Sequence, residues 1–302
     1  MPGSPYKTHT SFPEPQAGAS RRGAAKEATA RWLETIYDKY HRPQFRGLDP
    51  IDVLEGYRDS ADREIVALLA AALAYGNVKA ILRGVREALS RLGRQPHRQL
   101  LHDSPGDISG RFCDFRYRVT SDSQMAGLLI AVRHVLQEHG SLNACFLRHL
   151  APGDRDVVPA LGGFVQELCF ASGRDLYHLL PHPQRGSACK RLMLYLRWMV
   201  RRDAIDPGGW TGIHPSQLIV PLDTHMHAMA LRLGLTLRRH ASLRTAIEVT
   251  EGLRRFAPQD PLRYDFALTR PGILRIVERS WPAADGGSLP VRSSDRVSPR
   301  RV

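Results

Sequence analysis

One aspartate occupies a position from which it could take part in chemistry. Asp223 follows Ile-Val-Pro-Leu in the stretch LIVPLDTHMHAMALRLGLT and precedes residues whose apolar members recur at helical spacing. The pattern predicts a helix from residue 223 with Asp223 as its N-cap. The amides and dipole of a first turn favour a negative charge, and a fixed anion is what a positively charged transition state needs. The alternative is that Asp223 only caps the helix.

A lysine upstream of this aspartate is the second candidate for chemistry. Only five of the 43 lysine and arginine residues are lysines, and a lysine can lose its proton and act as a nucleophile. Lys190 lies where the turn HPQRGSAC opens into a basic amphipathic segment. Such a turn can direct backbone amides at a phosphate, which predicts nucleic-acid contacts from Gly186, Ser187 and Arg191. The alternative for the Lys190-Arg191 pair is a solvated basic face.

Two histidines directly after the aspartate raise the question of a metal site. His225 and His227 are two residues apart and face different directions on a helix, whereas Asp223 and His227 share a face. Two ligands without a third make a weak site. The sequence therefore predicts no metal site and no cofactor, and His225 is assigned to nucleic-acid contact instead.

Two segments mix aromatic and arginine side chains, as nucleic-acid-binding surfaces do. They are DFRYRVT (114–120) and RLMLYLRWMVRR (191–202), and the second makes Arg197 a candidate nucleic-acid contact. Tyr195 and Trp198 stand at helical spacing, which is equally typical of a core face.

The elements that must position these residues are helices. No alternating run predicts a strand, and no repeat of fixed period occurs. Asn77 is predicted to cap one helix, and Ser121 with Gln124 forms a capping-box pattern before another. We expect an all-α protein with a single domain at 26–283 between disordered basic tails at 1–25 and 284–302. The segments with helical spacing are 61–76, 78–93, 125–140, 157–173, 187–202, 242–256 and 260–269, the last with Asp260 as its cap.

Composition excludes several classes of protein. The 302 residues are 42% apolar, enough for a core, and no run approaches the length needed to cross a membrane. The N-terminus MPGSPYKTHTSFPEP lacks the apolar core of a signal peptide, which predicts a soluble, cytoplasmic protein. Four cysteines without a C-x-x-C pair indicate reduced thiols, with neither a zinc site nor an iron–sulfur cluster.

The net charge of +13 indicates a polyanionic partner. Each tail carries about +2, which leaves roughly +9 for the domain. A surplus of that size suits nucleic acid, duplex DNA above all, better than a membrane, and nothing in the pattern calls for an obligate protein partner. The alternative is an arginine-rich proteome.

The motifs together resemble a known superfamily. The block IVPLDTHMHAMALRLGL resembles the V-D-T-H block of the helix-hairpin-helix DNA glycosylases, and ADREIVALLAAALAYGNVKAI resembles the helix that opens their catalytic domain. GSACKRL, LRWMVR, PLDTH and YDFALT are together similar to a conserved bacterial family of unassigned function, over roughly residues 45–280. The resemblance implies a glycosylase-like fold with a hairpin near 179–202 and an aspartate-bearing helix from 223. It also implies that Asp223 stabilises a sugar cation and that, as in bifunctional members, a hairpin lysine attacks the sugar.

The hairpin departs from the superfamily pattern in its register. The nucleophilic lysine of that pattern lies two residues after the second glycine of the loop, a position that Ala188 holds when counted from Gly186. Lys190 lies two residues further on, a rotation of about 200° on a helix. A gapless comparison thus predicts that Lys190 points away from the site. A differently shaped hairpin, which Pro181 and Pro183 allow, would bring it back.

Two functions of different class follow. The first is a base-excision enzyme that flips a damaged base and cleaves its N-glycosidic bond, with Asp223 essential and Lys190 as the candidate nucleophile. The second is a catalytically inactive nucleic-acid-binding module that retains the fold. Strong binding to duplexes without turnover of any lesion would select the second.

Overall fold

The computed structural model describes residues 17–274, and its side chains from residue 24 onward. The predicted tail at 284–302 lies outside the described residues, as does most of the predicted tail at 1–25. The first helix begins at Ala17, within the last part of that predicted N-terminal tail.

The described residues form an all-α protein, as predicted. Within residues 17–274 there is no strand, and the three β-bridges are isolated. None of the helices in that range is long and apolar enough to cross a membrane. Short 3-10 helices occupy Pro43–Leu48, Pro50–Gly56, Pro183–Arg185 and Pro215–Gln217. The α-helices are α1 (Ala17–Tyr40), α2 (Ser60–Ala72), α3 (Val78–Leu92), α4 (Pro96–His102), α5 (Pro105–Arg111), α6 (Asp122–His139), α7 (Leu142–Arg148), α8 (Val158–Ser172), α9 (Lys190–Val200), α10 (Thr224–Arg232), α11 (Leu243–Arg254) and α12 (Asp265–Leu274).

Side-chain caps set several helix starts, as the sequence predicts. The Asn77 side chain accepts from the Ala80 amide at 2.9 Å and begins α3. Ser121 and Gln124 form the expected capping box at the start of α6. Each cap satisfies an amide that a helix leaves without an internal partner.

The predicted cap at Asp260 is wrong. α12 begins five residues later, at Asp265. The Asp260 carboxylate instead accepts from Arg201 Nε at 2.9 Å, so an ion pair with the end of α9 has taken it from the helix start.

The packing order places α9 and α10 next to the core. α2 is apolar around nearly its whole circumference and packs against α9, α3, α4 and α7. A helix that is apolar on all sides belongs in the interior. α6 packs against α8, α7, α5 and α4, and α12 packs against α1 and α10. α9 is thus held by α2, and α10, the helix that Asp223 caps, is held by α12.

Candidate active site

Asp223 is the N-cap of α10, as predicted, and its two oxygens do different things. Oδ1 accepts from the Met226 amide at 2.8 Å, which closes the first turn of the helix. Oδ2 lies 3.8 Å from Lys190 Nζ. One oxygen therefore caps the helix, and the other faces Lys190.

Lys190 begins α9 and reaches the site because of the residue before it. Cys189 has φ 47° and ψ 30°, a left-handed conformation that residues other than glycine seldom adopt. The Cys189 amide donates to Ser187 Oγ at 3.3 Å, and its thiol donates to the carbonyl oxygen of Pro181 at 3.3 Å. These contacts fix a sharp change of direction just before the helix.

The conformation of Cys189 determines the direction in which the Lys190 side chain points. Ala188 is buried, with 8% of its surface exposed, whereas the Lys190 side chain is 35% exposed and faces Asp223. The expectation from a gapless comparison, that Lys190 points away, is therefore wrong. The reason is that the hairpin does not run as regular helix from Gly186 to Lys190, so a rotation counted per helical residue does not apply.

Gly186 and Ser187 form the exposed tip of the turn between the 3-10 helix Pro183–Arg185 and α9. Gly186 ends the 3-10 helix with φ 76°, a conformation suited to glycine. The tip is docked on the start of α11, because Ser187 forms a β-bridge with Ser242 and the Leu243 amide donates to the Gly186 carbonyl at 3.5 Å. Both predicted contact residues are thus at the surface beside Lys190.

The Arg191 side chain is held by contacts inside the fold. Its guanidinium donates to the Ala72 carbonyl at 2.7 Å and to the His178 carbonyl, and it lies over the Tyr75 ring, 5.4 Å from the ring centre. We therefore correct its predicted role from phosphate binding to holding the hairpin against the end of α2. The cause is that carbonyl oxygens inside the fold already take its donors.

The prediction that Arg197 contacts nucleic acid is wrong. Arg197 is 2% exposed, and its guanidinium donates to Asp206 at 3.1 Å and to Asp265 at 2.5 Å. A cation held between two buried carboxylates cannot reach a phosphate at the surface. The mixture of aromatic and basic residues in this helix reflects a buried ion-pair network, which a sequence pattern does not distinguish from a binding face.

His225 is half-buried and packs against α12. A Cβ placed on Gly272 would lie 2.6 Å from His225 Nδ1, so the absence of a side chain at Gly272 makes room for the ring. His225 thereby helps to seat α10, and its contact with nucleic acid stays a prediction.

Asp265 is a second carboxylate near the site that sequence reasoning missed. It is 2% exposed, and its Oδ1 has no hydrogen-bond partner. Burial raises the pKa of Asp265 to about 6 against the opposing effect of Arg197, and the nearby charge of Asp223 adds to the rise. The motif YDFALT marked this segment in the sequence, but nothing there signalled that its aspartate would lie behind Asp223.

The surface beside the hairpin is basic. Leu237, Arg238, Arg239 and His240 are exposed on the loop that leads into Ser242, the residue bridged to the hairpin tip. Ser187 also borders a recess of about 480 Å³, whose other lining residues are Gln124, Asp175, Tyr177, His178, Pro181, His182 and Arg185. The basic loop and the recess therefore both border Ser187, in the turn that precedes Lys190.

The fold and the site define an all-α protein in which a lysine and a carboxylate meet at the starts of two helices. Residues 49–274 match the family described as "Protein of unknown function (DUF2400)". The match covers about three quarters of the chain, so the protein belongs to this family. No curated protein and no solved structure matches the chain.

Proposed function

We propose that this protein binds duplex DNA and cleaves the N-glycosidic bond of a damaged base. The observation that carries the proposal is the distance of 3.8 Å between Lys190 Nζ and Asp223 Oδ2. The resemblance of the PLDTH block to the helix-hairpin-helix DNA glycosylases supports the same chemistry. Both groups are partly exposed, at 35% and 23%, so a sugar can approach them.

Asp223 acts on the sugar as the base departs. The C1′–N bond breaks with its electron pair leaving on the base, and positive charge develops on the sugar ring. The carboxylate is held in place by the Met226 amide, so it needs little reorganisation to stabilise that charge.

Lys190 acts as the nucleophile. The unprotonated amine donates its lone pair to C1′ while the base leaves and takes up a proton. The nitrogen, now bonded to C1′ and positively charged, loses a proton; its lone pair then expels the ring oxygen O4′, which takes up a proton, and the C1′–N bond becomes an iminium. Removal of a proton from C2′ then lets the 3′ phosphate leave from C3′, which nicks the strand. Asp223 is near enough to Nζ to accept a proton from it.

The exposed hairpin tip and the neighbouring loop would hold the backbone of the duplex. Gly186 and Ser187 lie beside the N-terminus of α9, and Arg239 lies on the exposed loop next to the tip. Helix N-termini and arginine side chains both attract phosphates. The recess beside Ser187, with Tyr177, His178 and Arg185 among its lining residues, would hold a flipped base.

Incubation with a panel of lesion-bearing duplexes, scored for abasic sites and for nicks, tests the proposal. We expect at least one lesion to yield abasic sites. Tight duplex binding with no product from any lesion would overturn the enzyme and select the inactive binding module.

Borohydride trapping on abasic DNA tests the nucleophile. We expect a covalent complex that Lys190→Ala abolishes and that the control Lys79→Ala, an exposed lysine on α3, retains. Trapping that survives in Lys190→Ala would assign the role to another amine.

A further inference from the structure

A second cluster of reactive side chains lies away from the candidate active site, where α6, α7 and α8 meet. It consists of His139 at the end of α6, Cys145 on α7 and Glu167 on α8. One ligand atom from each of the three lies within 4.8 Å of the other two. Three consecutive helices thus bring an imidazole, a thiol and a carboxylate to one point.

Glu167 is the centre of the cluster. His139 Nε2 bonds to Glu167 Oε1, and His149 Nε2 bonds to the other oxygen at 2.6 Å. Burial raises the pKa of Glu167, but bonds from His149, His139 and Cys145 outweigh it and hold that pKa below its usual value. The carboxylate is therefore charged and oriented from both sides.

The surroundings leave room for this arrangement. A Cβ on Gly163 would lie 2.4 Å from His149 Nδ1, so only glycine on α8 allows the ring to sit there. The His139 and Glu167 side chains are 15% and 26% exposed, and Cys145 is fully buried. The cluster is open to small ions on one side and closed on the other.

The donor set suits a borderline transition metal. Imidazole nitrogen, thiolate sulfur and carboxylate oxygen are the ligands of Zn²⁺ sites, and hard ions such as Mg²⁺ do not favour sulfur. Burial, with Glu167 beside it, raises the pKa of the Cys145 thiol well above its usual range, so without a cation the thiol stays protonated. A divalent ion would offset the charges of the thiolate and the carboxylate and so stabilise the buried thiolate.

We propose that His139, Cys145 and Glu167 bind one Zn²⁺-like ion, with His149 orienting Glu167 through its second oxygen. A histidine that holds a ligating carboxylate is a common outer partner of zinc ligands. On binding, Cys145 releases its thiol proton, so the ion replaces that proton in the cluster. The bound ion would join α6, α7 and α8 through its three ligands.

The sequence predicts no metal site because the three ligands lie on separate helices with no motif spacing. The proposal rests on their geometry alone and is independent of Lys190 and Asp223. Loss of glycosylase activity would not affect it.

Binding of Zn²⁺ and Co²⁺ to the full chain, after treatment with a chelator and dialysis, tests the site. We expect one ion per chain, release of protons on binding, a higher melting temperature and, with Co²⁺, a thiolate-to-metal charge-transfer band. Cys145→Ser should abolish the band, and His139→Gln and Glu167→Gln should each weaken binding at least tenfold. The matched control is Cys169→Ser, at a half-buried cysteine on α8, the helix that carries Glu167. It should retain both the charge-transfer band and the binding affinity.

Circular dichroism of each metal-free variant shows whether it still folds. If a variant does not fold, X-ray absorption of the cobalt-loaded parental protein gives the same answer, with one sulfur ligand expected at the metal. A folded parental protein that shows no thiolate band, or binding that Cys145→Ser and His139→Gln leave unchanged, would overturn the proposal and leave a hydrogen-bond network only.

Discussion

Replacing Asp223 by asparagine separates its contact with the helix start from the catalytic role proposed for it. The Oδ1 atom that accepts from the Met226 amide at 2.8 Å has an equivalent in asparagine, which is also a favoured N-cap. The oxygen that faces Lys190 at 3.8 Å becomes uncharged. The substitution therefore removes the charge and keeps the cap.

The magnitude follows from that distance. Two unit charges about 4 Å apart interact by about 4 kcal/mol at the effective dielectric constant of roughly 20 found near protein surfaces. On the proposed function, a sugar cation that forms at a similar distance from Asp223 would lose a comparable stabilisation, which is about a thousandfold in rate. The effect on folding is smaller, on the order of 1 kcal/mol or less, because exposed ion pairs contribute little. DNA affinity should be unchanged or slightly raised, since an anion facing phosphates is gone.

Single-turnover excision and thermal unfolding, measured on the same preparations, check this prediction. Asp223→Ala is the companion variant, because it removes charge and cap together and should cost about 1 kcal/mol more in stability than Asp223→Asn. An Asp223→Asn protein that melts much earlier yet excises at the parental rate would refute the reasoning and leave Asp223 as a structural residue.

Three further results are expected. Duplex DNA affinity should fall steeply between low and moderate salt, because the protein's net charge of +13 favours phosphate contacts that release counterions. An affinity that does not change with salt would contradict nucleic-acid binding. Arg197→Met should lower the free energy of unfolding by about 3–5 kcal/mol in urea titrations, because Asp265 and Asp206 would stay buried with less compensation. Arg239→Met, on the exposed loop, is its control and should change stability by about 0.5 kcal/mol at most. Because the folded protein keeps a proton on Asp265 up to a pKa of about 6, against an ordinary value of 3.8, Asp265 should make stability fall as pH rises across that interval. Asp265→Asn should lose this slope in unfolding measured over the same pH series, and an unchanged slope would contradict the assignment.

The helices and their caps could be predicted because their signals are local. Asn77, the Ser121–Gln124 capping box and Asp223 each act within one helical turn, so residue type and spacing suffice. Where a distant partner competes, local reasoning fails. Asp260 has the pattern of a cap but is taken by Arg201 from α9.

The site could be predicted only in part for the same reason. Asp223 and Lys190 could be singled out by residue type, but whether they meet depends on the left-handed conformation of Cys189, which no residue pattern encodes. Arg197 resembles a surface cation until its partners Asp206 and Asp265 are known. A partner 68 residues away, Asp265, decides the case of Arg197, and a backbone conformation decides that of Lys190; residue spacing shows neither.

The buried carboxylate behind the site links its electrostatics to the core. Asp265 carries its ion pair with Arg197 on one oxygen and leaves the other without a partner, which is costly in an interior. A second negative charge behind Asp223 would strengthen the potential felt by a cation at Lys190. Arg197 and Arg201 in turn offset the charge of Asp206 and keep the network folded. On the proposed function, the protein accepts an unfavourable buried acid because the field it adds acts at the place where the sugar becomes positive.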